Sequence, residues 1–243
     1  MSRIGERNYH EIYGWFEIVE YISSTNLKVK FDNTETIANG TYRTFTLCLI
    51  KDYNFPSICG ECCLGTDEKV DKKAYDIWYS MINRCYNPKW HKKHPTYEKC
   101  ITSEEWKAYA NFYRWYKNNY YEIDGQTMQL DKDILCKHNK IYSADTCCFV
   151  PRIINNAFEK SERSRGLYPI GVSFDGNRNK YAVTIRVGNG QRIRGRFDSV
   201  EDAFSFYKKN KEEYLRYLAE SYKSLIPHKL YEAMINYEVE VDD

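Results

Sequence analysis

The apolar residues of this chain change period along its length, and that change excludes both an all-helical and an all-strand architecture. Between residues 14 and 65 the segments WFEIVEYI, LKVKF and TFTLCLI alternate or run apolar, and polar clusters SSTN and ANG separate them. Successive strand side chains point to opposite faces, so this pattern predicts short strands with one buried side. From Ala74 the repeat lengthens: Tyr75, Trp78, Ile82 and Cys85 recur at helical spacing until Asn87-Pro88 closes the segment. Later, IGVSF, KYAVTIRV and QRIRGRF return to the strand pattern, joined by Asp175-Gly176 and by Gly188-Asn189-Gly190, residues that suit tight hairpin turns. The expected fold class is α+β.

The chain is long enough, at 243 residues, for two or three small domains. Its 23 Tyr, 5 Trp and 11 Phe against 6 Pro and 12 Gly argue for packed cores rather than disorder. Three segments are expected. Residues 1–70 form a β-rich domain, a small bent barrel or meander of SH3-like type. Residues 71–162 hold the helix from Ala74 and a second one beginning at Thr102, where Thr102 and Glu105 fit a capping box. Trp106, Tyr109, Ala110, Tyr113 and Tyr116 give that second helix an aromatic stripe read as core. Then MQLDKDIL, CKHNKIYSADT, CCFVP and RIINNAF read strand, turn, strand, helix, with Pro151 in the first helical turn. Residues 163–243 hold the three-stranded sheet and a helix capped by Ser199, with stripe residues Ala203, Tyr207, Tyr214, Leu218 and Tyr222 and a short helix after it.

A net charge of +2 excludes a uniformly basic nucleic-acid binder, so any such footprint has to come from clustering. Arg163, Arg165, Arg178, Lys180, Arg186, Arg192, Arg194 and Arg196 form such a cluster, with Asp175 the only acid between residues 163 and 196. Glu232, Glu238, Glu240, Asp242 and Asp243 make the tail acidic. The opening MSRIGERNYHEIYG has no apolar segment of signal-peptide length, and no later stretch approaches the ~20 apolar residues of a membrane helix. The nine cysteines, an odd number scattered through aromatic segments, read as reduced thiols. Together these lead to the expectation of a cytoplasmic protein with no membrane partner.

The segment IGVSFDGNRNKYAVTIRV followed by GRFDSVEDAFSFYKKNKE resembles the AP2-like DNA-binding domain of plant regulators and phage nucleases, over residues 168–222. The resemblance implies a sheet that enters the major groove of double-stranded DNA with the helix behind it. It would turn Arg178, Lys180, Arg186, Arg192, Arg194 and Arg196 toward DNA. Strand parity points the same way independently, because Arg192, Arg194 and Arg196 are two residues apart and share a face. Guanidinium forks match phosphate and guanine edges.

The segment LDKDILCKHNKIYSADTCCFVPRIINN resembles a variant of the HNH ββα-metal finger of phage-encoded homing-type nucleases. Asp131-Lys132 stands where that family has Asp-His, Asn139 lies in the connecting loop, and Asn155 or Asn156 closes the helix. A lysine with an ordinary pKa near ~10.4 stays protonated and cannot take a proton from water at neutral pH. Nothing local suggests burial of Lys132, which reads as ion-paired between Asp131 and Asp133. His138 could replace the base if its loop folds back over the strands. Asp131 and Asp133, two apart on a strand, could hold a divalent ion such as Mg²⁺ with Asn155 or Asn156. The expectation is therefore no cofactor and a finger kept for binding, with a metal-dependent endonuclease as the alternative.

Cys59 and Cys62 form a CxxC that is half a zinc site, and His91 and His94 sit three apart in what reads as a lysine-rich loop. Lys89, Lys92, Lys93 and Lys99, interleaved with Trp90 and Tyr97, give a second basic cluster suited to a nucleic-acid backbone, with Lys92 and Lys93 as its DNA contacts. Binding of duplex DNA is the expected function. A protein that binds and blocks a host defence factor is the alternative from another class, which the acidic tail and abundant tyrosine permit.

Overall fold

Apolar periodicity becomes architecture once each strand or helix finds something to cover its apolar side. The computed structural model describes residues 2–159, 167–188 and 190–241. Arg163, Arg165, Asn189, Asp242 and Asp243 lie outside them. The chain begins with strands β1 (Arg7–His10), β2 (Gly14–Ser23), β3 (Asn26–Phe31) and β4 (Ile37–Gly40), then helices α1 (Tyr42–Thr46), α2 (Lys72–Tyr86) and α3 (Pro88–Lys93). There follow β5 (Ile101–Thr102), α4 (Tyr109–Asn119), β6 (Met128–Asp131), β7 (Ile141–Tyr142), β8 (Cys148–Pro151) and α5 (Arg152–Phe158). The last elements are β9 (Val172–Asp175), β10 (Lys180–Arg186), β11 (Arg192–Phe197), α6 (Val200–Tyr222) and α7 (His228–Ile235). The class is mixed α+β, and no sheet among the described residues closes into a barrel. No described helix is long and apolar enough to cross a membrane.

Two units divide the chain: residues 1–119 with 140–143, and residues 120–139 with 144–243. This division cuts the segment read as 71–162.

In the first unit β1 to β4 make an open antiparallel meander. Phe16 and Ile18 of β2 pair with Phe31 and Val29 of β3, and all four are fully buried with Leu27, Ala38 and Phe45. The barrel expected here lacks the strand that TFTLCLI was to supply. Thr41 instead caps α1, accepting from the Thr44 amide while the Thr44 hydroxyl accepts from the Thr41 amide. That side-chain competition with sheet hydrogen bonds turns Phe45 into the core and leaves Leu47 and Leu49 exposed.

Helix α2 starts on Asp71, whose carboxylate accepts from the Ala74 amide, and buries Ala74, Trp78, Met81, Ile82 and Cys85. Asn87 ends it and caps α3, with Pro88 at the first position, so the lysine-rich segment is a short helix rather than the expected loop. Thr102 is no cap. It lies buried in β5, which pairs in parallel with β7, and its amide donates to the Tyr86 hydroxyl while its own hydroxyl donates to the Ser103 carbonyl. The regular helix begins only at Tyr109; of the expected stripe Trp106, Tyr109 and Tyr116 are buried and Ala110 and Tyr113 half-buried, while Phe112, outside that stripe, is buried as well. The Trp78 indole donates to the Trp106 carbonyl at 2.7 Å.

In the second unit β6 and β8 pair antiparallel and lead into α5, the strand, strand, helix order expected. The first strand stops at Asp131, however, so Asp133 is not on it. β9, β10 and β11 form a second meander with β10 in the middle. Its inner face, Val172, Val183 and Ile185, lies in one core with Tyr207, Leu215 and Leu218 of α6 and with Leu230 and Met234 of α7. Each fully buried leucine there contributes roughly 1.5–3 kcal/mol. Ser199 caps α6, accepting from the Asp202 amide at 3.1 Å.

Candidate functional site

The face of the second meander opposite α6 is set by parity and register. Along β11, Arg192, Arg194 and Arg196 are exposed and alternate with half-buried Ile193, Gly195 and Phe197. The register places Arg186 opposite Arg192, Thr184 opposite Arg194, Ala182 opposite Arg196 and Asp175 opposite Lys180. Lys180, Arg186, Arg192, Arg194 and Arg196 therefore share one face with Ser173, Thr184 and the single acid Asp175. Directly opposed residues on a sheet lie about 4.5–5.5 Å apart, and like charges in that position are destabilising. Arg186 and Arg192 bear that cost.

The chain's own carboxylates neutralise part of this face. Asp175 accepts from Arg178 at 3.1 Å and lies 3.6 Å from the Arg196 Nε, and Lys180 pairs with Asp198. Partial burial pushes the Asp175 carboxyl up, but the Arg178 hydrogen bond and the charges of Arg178 and Arg196 outweigh it and hold it below its ordinary value. Arg186, Arg192 and Arg194 pair with no acid among the described residues.

The finger-like segment is built differently. Both the Asp133 and Ile134 amides donate to the Asp131 carboxylate at 2.8 Å, which turns the chain off the strand. Burial raises the Asp131 pKa, with the Asp133 charge adding to it against those two amides. Lys132 is only 5% exposed, which corrects the expectation that it is not buried. It does pair with Asp133, at 2.5 Å, and it donates to the Asn139 carbonyl at 2.8 Å while the Asn139 amide donates back to the Lys132 carbonyl at 2.9 Å. These reciprocal bonds tie residues 132–139 into a closed loop. His138, at a left-handed φ of 57°, lies in this loop with its Nε2 3.5 Å from Glu240. Asn155 is half-buried and Asn156 exposed on α5.

Among the described residues no group of three His, Cys, Asp or Glu is placed to hold a metal ion. Cys59 and Cys62 flank a tight turn closed by Ile58 and Cys62, and burial pushes the Cys62 thiol up to about 12. The His91 ring nitrogen sits 2.8 Å from the Arg84 carbonyl, and His94 stacks on Trp90 at 4.7 Å. Lys92 and Lys93 are exposed on α3, a separate element of the first unit.

The sequence reading missed Lys211. It stands four residues after Tyr207, on the very spacing of the α6 apolar stripe, and a charged residue at such a position was the available signal. Compared with known proteins, the chain matches no family model, no curated protein and no solved structure.

Proposed function

We propose that the chain binds double-stranded DNA through the basic face of β9, β10 and β11, in the manner of an AP2-like sheet, and that its HNH-like segment does not cleave. The observation that carries this is the exposed trio Arg186, Arg192 and Arg194 on one face, with no acid partner among the described residues. Alternate residues on β11 are spaced about 6.8 Å apart, at ~3.4 Å per residue, so the arginines make a line that can follow a charged backbone. A two-stranded ribbon also fits the ~12 Å major groove. A directly opposed Arg186–Arg192 pair costs folding stability and is repaired when a polyanion lies over it.

The non-cleaving reading of the finger rests on Lys132. Its ammonium is committed to Asp133 and to the Asn139 carbonyl inside a closed loop, a bracing role rather than that of a base. The proposed protein is then a DNA-binding one of the kind phages encode, with the first unit's role open to the same binding tests.

Fluorescence anisotropy of a labelled duplex across a salt series tests the reading. The wild-type chain should bind with a steep dependence of log K on log salt. Replacing Arg186, Arg192 and Arg194 by Ala should flatten that slope by about 3, roughly one per lost phosphate contact. An unchanged slope removes the assignment. Plasmid cleavage with Mg²⁺ that Asp131→Ala abolishes would replace it with the nuclease alternative.

A further inference from the structure

β10 runs on past the start of β9, and the space this leaves is a cleft of about 350 Å³. Its walls come from Arg186 of β10, Arg192 of β11, Asn156 and Glu159 at the end of α5, and Tyr207 and Lys211 of α6. Gly171 shapes the floor. It has φ 76°, and a Cβ there would lie 2.1 Å from the Tyr207 ring, so only glycine lets that ring lie flat against the turn before β9.

Lys211 belongs to the cleft and also to a small void of about 10 Å³ beneath it, lined with Ala157, Leu215 and Tyr237. Its stem is thus packed among apolar groups, and its ammonium has no ion pair or hydrogen bond among the described residues. The next residue, Glu212, is no counterion for it. That carboxylate is taken by Lys208 at 2.9 Å, by Arg216 at 3.3 Å and by the Val239 amide at 2.9 Å. Glu159 lines the same cleft without pairing to Lys211. A part-buried ammonium left uncompensated is costly, and a ligand's charge removes the cost.

We infer that this cleft is a phosphate-binding site, in which Lys211, Arg186 and Arg192 hold one phosphoryl group. Among the described residues three cations and one carboxylate, that of Glu159, line the cleft together with Thr184, while the Ser173 hydroxyl at its wall donates to the Ala182 carbonyl. A phosphoryl group offers enough acceptor oxygens for several such donors, and arginine forks match it bidentately. Burial lowers Lys211 to about 8, and a bound anion would hold it charged. The site deepens the DNA reading, since Arg186 and Arg192 belong to both, and it rests on that reading only for the source of the phosphate.

The test titrates inorganic phosphate into the full chain, against chloride at matched ionic strength, and follows amide resonances by NMR. Wild type should give a saturable response centred on β10, β11 and α6. Lys211→Met, which keeps the apolar stem, should weaken it about tenfold or more, whereas Arg196→Ala should leave it intact. Because it removes an uncompensated charge, Lys211→Met should unfold at no lower a urea concentration than wild type, so a lost response is not a lost fold. No saturable response in wild type, or an equal one in Lys211→Met, overturns the site. Duplex DNA then names the source. A salt slope lowered by about 1 in Lys211→Met assigns a backbone phosphate, and an unchanged slope with the phosphate response lost assigns a free phosphate ester. If Lys211→Met alters neither titration while the triple arginine variant loses DNA, the cleft inference falls and the basic face stands.

Discussion

The chain carries two antiparallel meanders, each with one face on a core and one exposed, and they treat exposed cations in opposite ways. On the first, Lys28 pairs with Glu20 at 2.8 Å, Lys30 with Glu35 at 2.5 Å and Arg7 with Asp32, while Glu17 stands opposite both Arg7 and Lys30 in register. On the second, Arg186, Arg192 and Arg194 have no such acids among the described residues. Exposed ion pairs add only about 0–1 kcal/mol, so the first arrangement is what a sheet needs merely to be wetted. The second keeps like charges adjacent at a cost, which makes sense when the matching charge is supplied by another molecule.

Charge reversal breaks that contrast most forcefully. Arg192→Glu with Arg194→Glu should weaken duplex binding by on the order of a hundredfold near 0.1 M salt, since two favourable contacts become two repulsions. Lys28→Glu with Lys30→Glu should change it less than about twofold. Equal losses from the two pairs, measured by anisotropy in the same buffer, would mean that net charge alone governs binding and that the sheets do not differ.

Beneath their cores the two units also differ in how they bury a carboxylate. Asp52, 3% exposed, is held by the neutral donors Thr34 hydroxyl, at 2.5 Å, and Asn54 amide, at 3.0 Å. Glu212 is held by two cations and an amide. Glu212→Gln should cost about 1–3 kcal/mol at pH 7, read from urea midpoints. For Glu212, burial pushes the carboxyl up, but the Val239 amide and the charges of Lys208 and Arg216 outweigh it and leave it below its ordinary value. Its stabilisation is therefore complete above the unfolded value of ~4.3 and is lost as pH falls through the lower folded value. The gap between wild type and Glu212→Gln should shrink below about pH 4. A gap that stays constant to pH 2 would remove the charge from the explanation and leave only shape.

What was legible in the sequence depended on how local the cause was. Strands β2 and β3 and helices α2 and α6 could be read because one packed face imposes a repeat on neighbouring residues. The shared side of Arg192, Arg194 and Arg196 followed from the same repeat. Residues 44–50 were misread because a Thr41–Thr44 capping box outcompetes an apolar alternation. Thr102 was misread because its partners, Tyr86 and β7, lie far away along the chain. Lys132 could not be seen to be buried, since what covers it includes a loop closed by Asn139. The cleft around Lys211 draws on three strands and two helices, and no window of sequence contains it.

Register, too, was invisible, and it creates a place where the second meander behaves like the first. Asp175 is an acid on the basic face, shared between Arg178 at 3.1 Å and Arg196 at 3.6 Å. If the unmatched arginines bind a polyanion, this acid opposes them twice, by its own charge and by holding Arg196 back. Asp175→Asn keeps the side chain's shape and its place opposite Lys180 while removing the charge. Duplex affinity should rise a few-fold, and the salt slope should steepen by about 1 as Arg196 becomes available to a phosphate. The same variant should cost less than about 1 kcal/mol in stability, because the pairs it breaks are on an exposed face. Weaker binding in Asp175→Asn would show that the carboxylate positions Arg178 and Arg196 for contact, and the line between matched and unmatched cations would then have to be redrawn to include ion pairs that orient a binding residue.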